Sequence, residues 1–258
     1  MRFMSKTEDR YMVPGLARGM EVLGAFSPAR QHLSLGELAA ALGTTRSALF
    51  RVTYTLTRLG FLAQNSARQT FSLGPAVLRL GIGYLATRGL VEAALPLLEA
   101  LRDTTGWSAH LGVLEGRHVV YLLRLPARPG AAGIVQVGSR LPAHATAMGR
   151  VLLAGLAVAA LAELYRDAAI ARIGPNTPAT LAGLIAQARR DGKRGHVLHH
   201  GDFESGMASI AAPVRDAAGA TVAAINITAP VDQAGPRAAR LAALQATAAE
   251  FATALGGG

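Results

Sequence analysis

The segment HVLHHGD at 196–202 gathers His196, His199, His200 and Asp202, residue types that hold divalent metals. Metal binding needs three or four such groups converging on one point. Adjacent residues of an extended segment face opposite ways, so His199 and His200 do not share a ligand set there. No metal site is expected, and no cofactor. Ser209 lacks the surroundings of an activated nucleophile, no glycine-rich phosphate loop is present, and no carboxylates pair at acid–base spacing. No catalytic residue is therefore assigned, and the chain is not read as an enzyme. A coherent chemistry lies instead in RSALFRVTYTLTR, residues 46–58. At about 100° per residue, Ser47, Phe50, Arg51, Tyr54 and Arg58 fall on one side, with Arg46 at its margin. Cations, hydroxyls and rings on one helical face suit a helix laid in the major groove of double-stranded DNA.

The flanking residues supply the scaffold that would hold that face. Leu16, Met20, Leu23 and Phe26 recur at helical spacing, with Pro14 suited to a first turn. Ser34 and Glu37 form a capping box, and Leu35, Leu38, Ala39 and Leu42 make the apolar face of a second helix. Gly43 allows a sharp turn, Thr44 can cap the next helix, and Leu49, Val52, Leu56 and Leu59 face inward. Gly60 ends it. FLAQ (61–64) and QTFSL (69–73) then read as a hairpin wing whose Arg68 reaches a phosphate or a minor groove. Three helices and a wing make a winged helix-turn-helix at 10–74, with Thr45, Arg46, Ser47, Phe50, Arg51 and Arg68 as its DNA contacts.

Charge supports that placement. Residues 1–80 hold ten Lys/Arg against four Asp/Glu, so +6 of the formal +10 sits in under a third of the 258 residues. A polyanionic partner for the N-terminal part accounts for this concentration. At 51% apolar and 16% charged, the chain can bury cores and is not a disordered polyelectrolyte. The absence of cysteine excludes disulfides and thiolate metal sites. The N-terminal MRFMSKTEDRYMV has no apolar run of secretory length, and no uncharged 18-residue apolar run follows. A cytoplasmic location and no membrane partner are expected.

From Pro75 to about Thr105 the chain reads as helical with a break near Thr87–Gly89, so 75–89 is assigned as a linker helix. Pro96 marks either a kink or a helix start. The period then changes: WSAHLGVLEGRHVVYLLRL is a hairpin turning at Glu115–Gly116, and GIVQVG (133–138) is a short strand. AHATAMGRVLLAGL (143–156), LAELYRD and LAGLIAQARRDG are helices. GHVLHH, MASIAAPVRD and TVAAINITA are strands, and PRAARLAALQATAAEFATAL is a closing helix. The class is α+β, with a largely antiparallel sheet covered on both sides.

The stretches LARGMEVLGAF, LSLGELAAALGTTRSALFRVTYTLTRLGF, FSLGPAVLRLG, LPAHATAMGRVLLA and GDFESGMASIAAPVRDAAGATVAAINITAP resemble, in that order, the IclR family of bacterial transcriptional regulators. YMVPGLARGMEVL and SIAAPVRD are most similar to its regulators of protocatechuate and p-hydroxybenzoate catabolism. The resemblance implies a GAF-like effector-binding and oligomerisation domain at 90–258 and a homodimer or dimer of dimers on near-palindromic operators. It also implies a small carboxylate effector. Aligned by motif, the family's pocket falls on Leu141, Ala147 and Met148, on Met207 and Ser209, and on Asn226 and Thr228, with His144 at a motif position. Strand alternation agrees, since it puts Met207 with Ser209 and Asn226 with Thr228 on single faces. His110 could face the same pocket. A helix N-terminus near His144–Gly149 suits a carboxylate, and the Met148 and Met207 thioethers suit an aromatic ring. The alternative left open is a DNA-binding protein whose C-terminal domain only oligomerises and senses no ligand.

Overall fold

Residues 11–27, 29–86, 89–128, 135–200, 203, 206–233 and 237–256 are described by a computed structural model of the chain. It divides into two units, Met1–Thr87 and Arg88–Gly258.

In the first unit Pro14 opens α1 (Pro14–Gly24), where a missing N–H costs no helical bond. A short strand β1 (Leu33–Ser34) leads into the capping box of α2 (Leu35–Ala41). There the Glu37 N–H donates to Ser34 Oγ at 3.2 Å, and the Ser34 N–H donates to the Glu37 carboxylate at 2.7 Å. Those bonds hold the Glu37 carboxyl below its usual range. Gly43, at φ 60°, makes the turn into α3 (Arg46–Arg58). The cap of α3 is Thr45 rather than Thr44: the helix begins one residue later than the spacing suggests, and the Ala48 N–H donates to Thr45 Oγ1 at 3.3 Å. Strands β2 (Leu62–Asn65) and β3 (Thr70–Leu73) form the wing, and β1 adds to β3 in an antiparallel sheet ordered β1-β3-β2. Two residues carry no periodicity, so β1 is invisible in the sequence.

Val22, Leu33, Leu38, Leu49, Leu62 and Phe71 form the core of this unit. The inward assignment of Leu59 is corrected, because it is exposed, as are Leu16 and Met20 of the helical stripe in α1. α1 buries the face of Gly19 and Val22 instead. Leu16, Met20 and Leu59 line an open apolar cleft of about 640 Å³ beside α3, joined by Leu80 of α4 (Ala76–Ala86).

The second unit begins with α5 (Leu90–Thr105), and Pro96 lies inside that helix. The hairpin β4 (Ser108–Glu115) and β5 (His118–Leu125) follows as read from the sequence. The expected strand at 133–138 is not found: Gly133 and Ile134 lie outside the described residues, and 135–138 are coil and turn. The turn is closed by the Gln136 N–H donating to Ser139 Oγ at 2.8 Å and the Ser139 N–H to Gln136 O at 3.0 Å. The edge strand is β6 (Arg140–Pro142). Next come α6 (Ala147–Ala154), α7 (Val158–Tyr165), α8 (Leu181–Arg194), β7 (Val197–His200), β8 (Met207–Arg215), β9 (Thr221–Pro230) and α9 (Arg237–Gly256). The six strands pair antiparallel throughout in the order β6-β5-β4-β9-β8-β7.

One face of this sheet carries Val119, Tyr121, Val197, Ala211 and Ala224 against Ala147, Met148, Val151 and Leu152 of α6. By strand alternation Ile210, Ile225 and Ile227 point the other way, and they are also fully buried, with α5 and α9 packed over that side. Among the described residues no helix is long and apolar enough to cross a membrane.

Candidate functional site

In the first unit, α3 presents Arg46, Ser47, Phe50, Arg51, Tyr54 and Arg58 to solvent while Leu49 and Thr53 are buried. Thr45 Oγ1 lies 3.1 Å from Ser47 Oγ, so cap and first turn are held together at the helix end expected to meet a groove. Phe50 and Tyr54, 61% and 60% exposed, are too open for core residues and stand beside the cations. Arg46 lies across α2, its guanidinium close enough to Gly36 that a side chain there would displace it. Arg51 stands where the outward face meets the apolar cleft. Arg68 is exposed in the wing turn, its N–H donating to Asn65 Oδ1 at 3.1 Å.

In the second unit a polar run crosses three strands of the α6-facing side. His110 Nδ1 on β4 lies 3.1 Å from Asn226 Oδ1 on β9, and Asn226 Nδ2 donates to Ser209 Oγ on β8 at 3.0 Å. The register makes this possible: His110 pairs with Asn226, and Ser209 pairs with Thr228 on one side and His199 on the other. His110 and Asn226 are buried, whereas Met207, Ser209 and Thr228 are half-buried. Burial, reinforced by the charge of Arg124 and opposed by the bond to Asn226, pushes the His110 imidazole down to about 4. Ser209 also borders a cavity of about 250 Å³ whose lining, with Leu198, His200, Ala208, Ile210, Trp107 and Arg237 beside His199 and Asn176, comes largely from the α9-facing side of the sheet.

The other expected pocket positions lie apart from that cavity. Leu141 packs beside the α6 cluster, in which Ala147 and Met148 are buried. Met148 fills the space left by the missing side chain of Gly112 on β4. His144 is buried, with Nε2 2.9 Å from Ala171 O and its ring edge-on to Tyr165. The helix expected from Ala143 starts only at Ala147, because Thr146 is extended and caps it, accepting from the Gly149 N–H at 3.1 Å.

Sequence reasoning missed a buried ionic cluster. Arg150 of α6 donates to both oxygens of Asp191 on α8, from Nε at 2.8 Å and Nη2 at 2.7 Å, and Gln187 adds a bond to Asp191 at 2.9 Å. Arg150 Nη1 lies 2.9 Å from His199 Nε2. A guanidinium can only donate, so His199 accepts there. A signal was present: Asp191 continues the buried stripe Leu184, Ala188 of α8, a position where a charge needs a partner. The other histidines of that segment have separate partners, His196 at Arg194 O and His200 at Arg237, each 3.0 Å away, and Asp202 lies outside the described residues. Among the described residues no three His, Cys, Asp or Glu gather as a metal site.

The docking of α6 can be tested directly. A side chain on Gly149 would run into the Cα and carbonyl of Ala143, backbone atoms that cannot swing aside. Gly149→Ala is expected to destabilise the second unit by about 1–3 kcal/mol, although alanine favours a helix by about 1 kcal/mol. Trp107, the chain's single tryptophan, is buried in this unit under Arg240, and its fluorescence during urea unfolding reads the change. An unchanged midpoint would mean that the 143–146 segment yields.

Two family descriptions match the chain: "IclR helix-turn-helix domain" over residues 15–66 and "Bacterial transcriptional regulator IclR C-terminal" over residues 82–253. The Pca regulon regulatory protein of Pseudomonas putida is 32% identical over 231 residues, covering 88% of this chain and 78% of its own length. The p-hydroxybenzoate hydroxylase transcriptional activator of Acinetobacter baylyi is 32% identical over 238 residues, covering 90% of this chain and 86% of its own. Among solved structures, an IclR homolog from Microbacterium hydrocarbonoxydans complexed with 4-hydroxybenzoate superposes with a TM-score of 0.81 at 26% identity. That match covers 93% of this chain and 98% of the other.

Proposed function

The chain belongs to the IclR family of bacterial transcriptional regulators, DNA-binding proteins rather than enzymes, and on that premise we propose that a small carboxylate governs its output. In this reading residues 10–74 bind near-palindromic operator DNA, 75–89 form a linker and 90–258 sense the effector. The first turns of α3, through Thr45, Arg46, Ser47, Phe50 and Arg51, enter the major groove, and Arg68 meets the backbone beside it. The protein works as a homodimer or dimer of dimers. The open cleft beside α3 and the exposed Leu78 and Ile82 of α4 offer apolar surface that a second copy would cover.

The observation that carries the sensor reading is the polar run His110–Asn226–Ser209 on the α6-facing side of the sheet, which ends at the half-buried Ser209. An apolar sheet face needs no such run for stability, whereas a small ligand site needs a few placed polar groups in an apolar wall. Met207 and Thr228 share the sheet face of Ser209, whereas Leu141, His144, Ala147 and Met148 lie apart from that cavity. The relatives that regulate pca and p-hydroxybenzoate genes, and the homolog holding 4-hydroxybenzoate, favour an aromatic acid.

A screen of aromatic and aliphatic carboxylates by thermal shift, followed by operator binding, tests this. A true effector at about 100 times its Kd should add about 2.7 kcal/mol of stability. Arg51→Ala is expected to weaken operator binding by about 1–3 kcal/mol and spare the thermal shift, while Ser209→Trp does the reverse. If no carboxylate moves either stability or operator affinity, the sensor reading is wrong.

A further inference from the structure

We propose that Phe50 and Tyr54 form an apolar patch that reads the C5-methyl groups of thymine, which makes them specificity-determining residues of α3. The inference rests on the operator reading above and adds which base the helix selects.

At about 100° per residue, Phe50 and Tyr54 lie about 40° apart on one edge of the outward face of α3. Arg51 and Arg58 lie on the other edge, with Ser47 between the two pairs. Both rings stand in solvent, 61% and 60% exposed, while Leu49 and Thr53 behind them are buried. They also stand outside the apolar cleft, which takes Ala48, Val52 and Thr55 from another flank of the helix. An apolar protein surface laid over the rings would bury Arg51 and Arg58 beside them without a counter-charge. A polyanion with apolar groups set between its charges suits both edges, and the major groove of double-stranded DNA is such a surface. Phosphates line its rims, and the apolar group that its base edges offer is the thymine methyl. The phenyl ring of Phe50 has neither donor nor acceptor, so the hydrogen-bonding edges of guanine, cytosine and adenine give it nothing to read. One helical turn separates the two residues by about 6 Å along the axis, against a rise of about 3.4 Å per base pair. Together the rings therefore reach across about two base-pair steps, and each half-site is expected to place two thymines within that span. The Tyr54 hydroxyl takes no part in a methyl contact, so Tyr54→Phe should keep the preference.

The test uses the full chain and duplexes that it selects from a random library. Replacing the selected thymines by uracil removes the methyl group and leaves every hydrogen-bonding group in place. Wild type should bind about fourfold more weakly for each methyl lost, the worth of one buried carbon. Phe50→Ala, a change at an exposed position that leaves the core untouched, should bind one of the uracil duplexes as well as its thymine counterpart. Tyr54→Phe should discriminate as wild type does. Equal wild-type affinity for thymine and uracil duplexes overturns the proposal whether or not any variant folds, and keeps the operator reading. A Phe50→Ala chain that still discriminates at every position overturns it as well. A wild type that enriches no duplex defeats the operator reading, and the inference with it.

Discussion

Asp191→Leu should unfold the second unit at markedly lower urea, with a loss of about 3–5 kcal/mol read from Trp107 fluorescence. Asp191 is 3% exposed and takes both strong bonds from Arg150, which is itself 9% exposed. Removing the carboxylate leaves a buried guanidinium that cannot lose its charge and has lost both of its bonds to Asp191. Asn at 191 should cost less, because its carbonyl still accepts one bond. The decisive comparison is the double variant Arg150→Met with Asp191→Leu. If the single variant suffers from an uncompensated charge, the double should recover most of the loss, since apolar groups of similar size replace buried ion pairs without large cost. If the double is as unstable as the single, packing rather than charge is at fault. The cluster also ties α6, α8 and β7 at His199, so the single variant should blunt any effector response as well.

Mild acid should weaken the same unit through His110. Its imidazole is held at about 4 in the fold, against an ordinary 6.5, so between those values the unfolded chain binds a proton that the folded one does not. Stability is then fully present above about pH 7 and falls as the pH drops from about 6.5 toward 4. The total loss is about 3 kcal/mol, the free-energy equivalent of that displacement. Urea midpoints followed by Trp107 fluorescence at pH 7, 6, 5 and 4 give the profile. Carboxylates contribute at the acid end, so the diagnostic quantity is the difference from His110→Gln, in which the slope between pH 6.5 and 5 should flatten. An equal slope in both chains would show that other groups carry the acid sensitivity.

Most elements were legible because their signals are local. The Ser34–Glu37 box lies within one helical turn, and its bonds form as the spacing requires. The hairpin at Glu115–Gly116 and the strands around Asp216–Gly219 follow from alternation and a turn residue. Where local signals were ambiguous, reading failed in consistent ways. Leu16, Met20 and Leu59 obey helical spacing yet stay exposed, because periodicity identifies an apolar stripe without saying what covers it. Ala143–Thr146 reads as helix by composition, but the Thr146 cap delays the start to Ala147. The strand expected at 133–138 gave way at 135–138 to a turn held by the Ser139 hydroxyl.

The helix-turn-helix at 34–60 and strands β4, β5, β7, β8 and β9 of the second unit were determined by the sequence itself, since they depend on residues within a few positions of one another. Which polar groups meet was decided only by the tertiary structure. His110 reaches Asn226 across 116 positions, Asn226 reaches Ser209 through the β8–β9 register, and Arg150 reaches Asp191 from another helix. No spacing rule links such residues. Their pairing is enforced by burial, which makes an unmatched charge or amide too costly to keep and so selects the register in which each finds its partner.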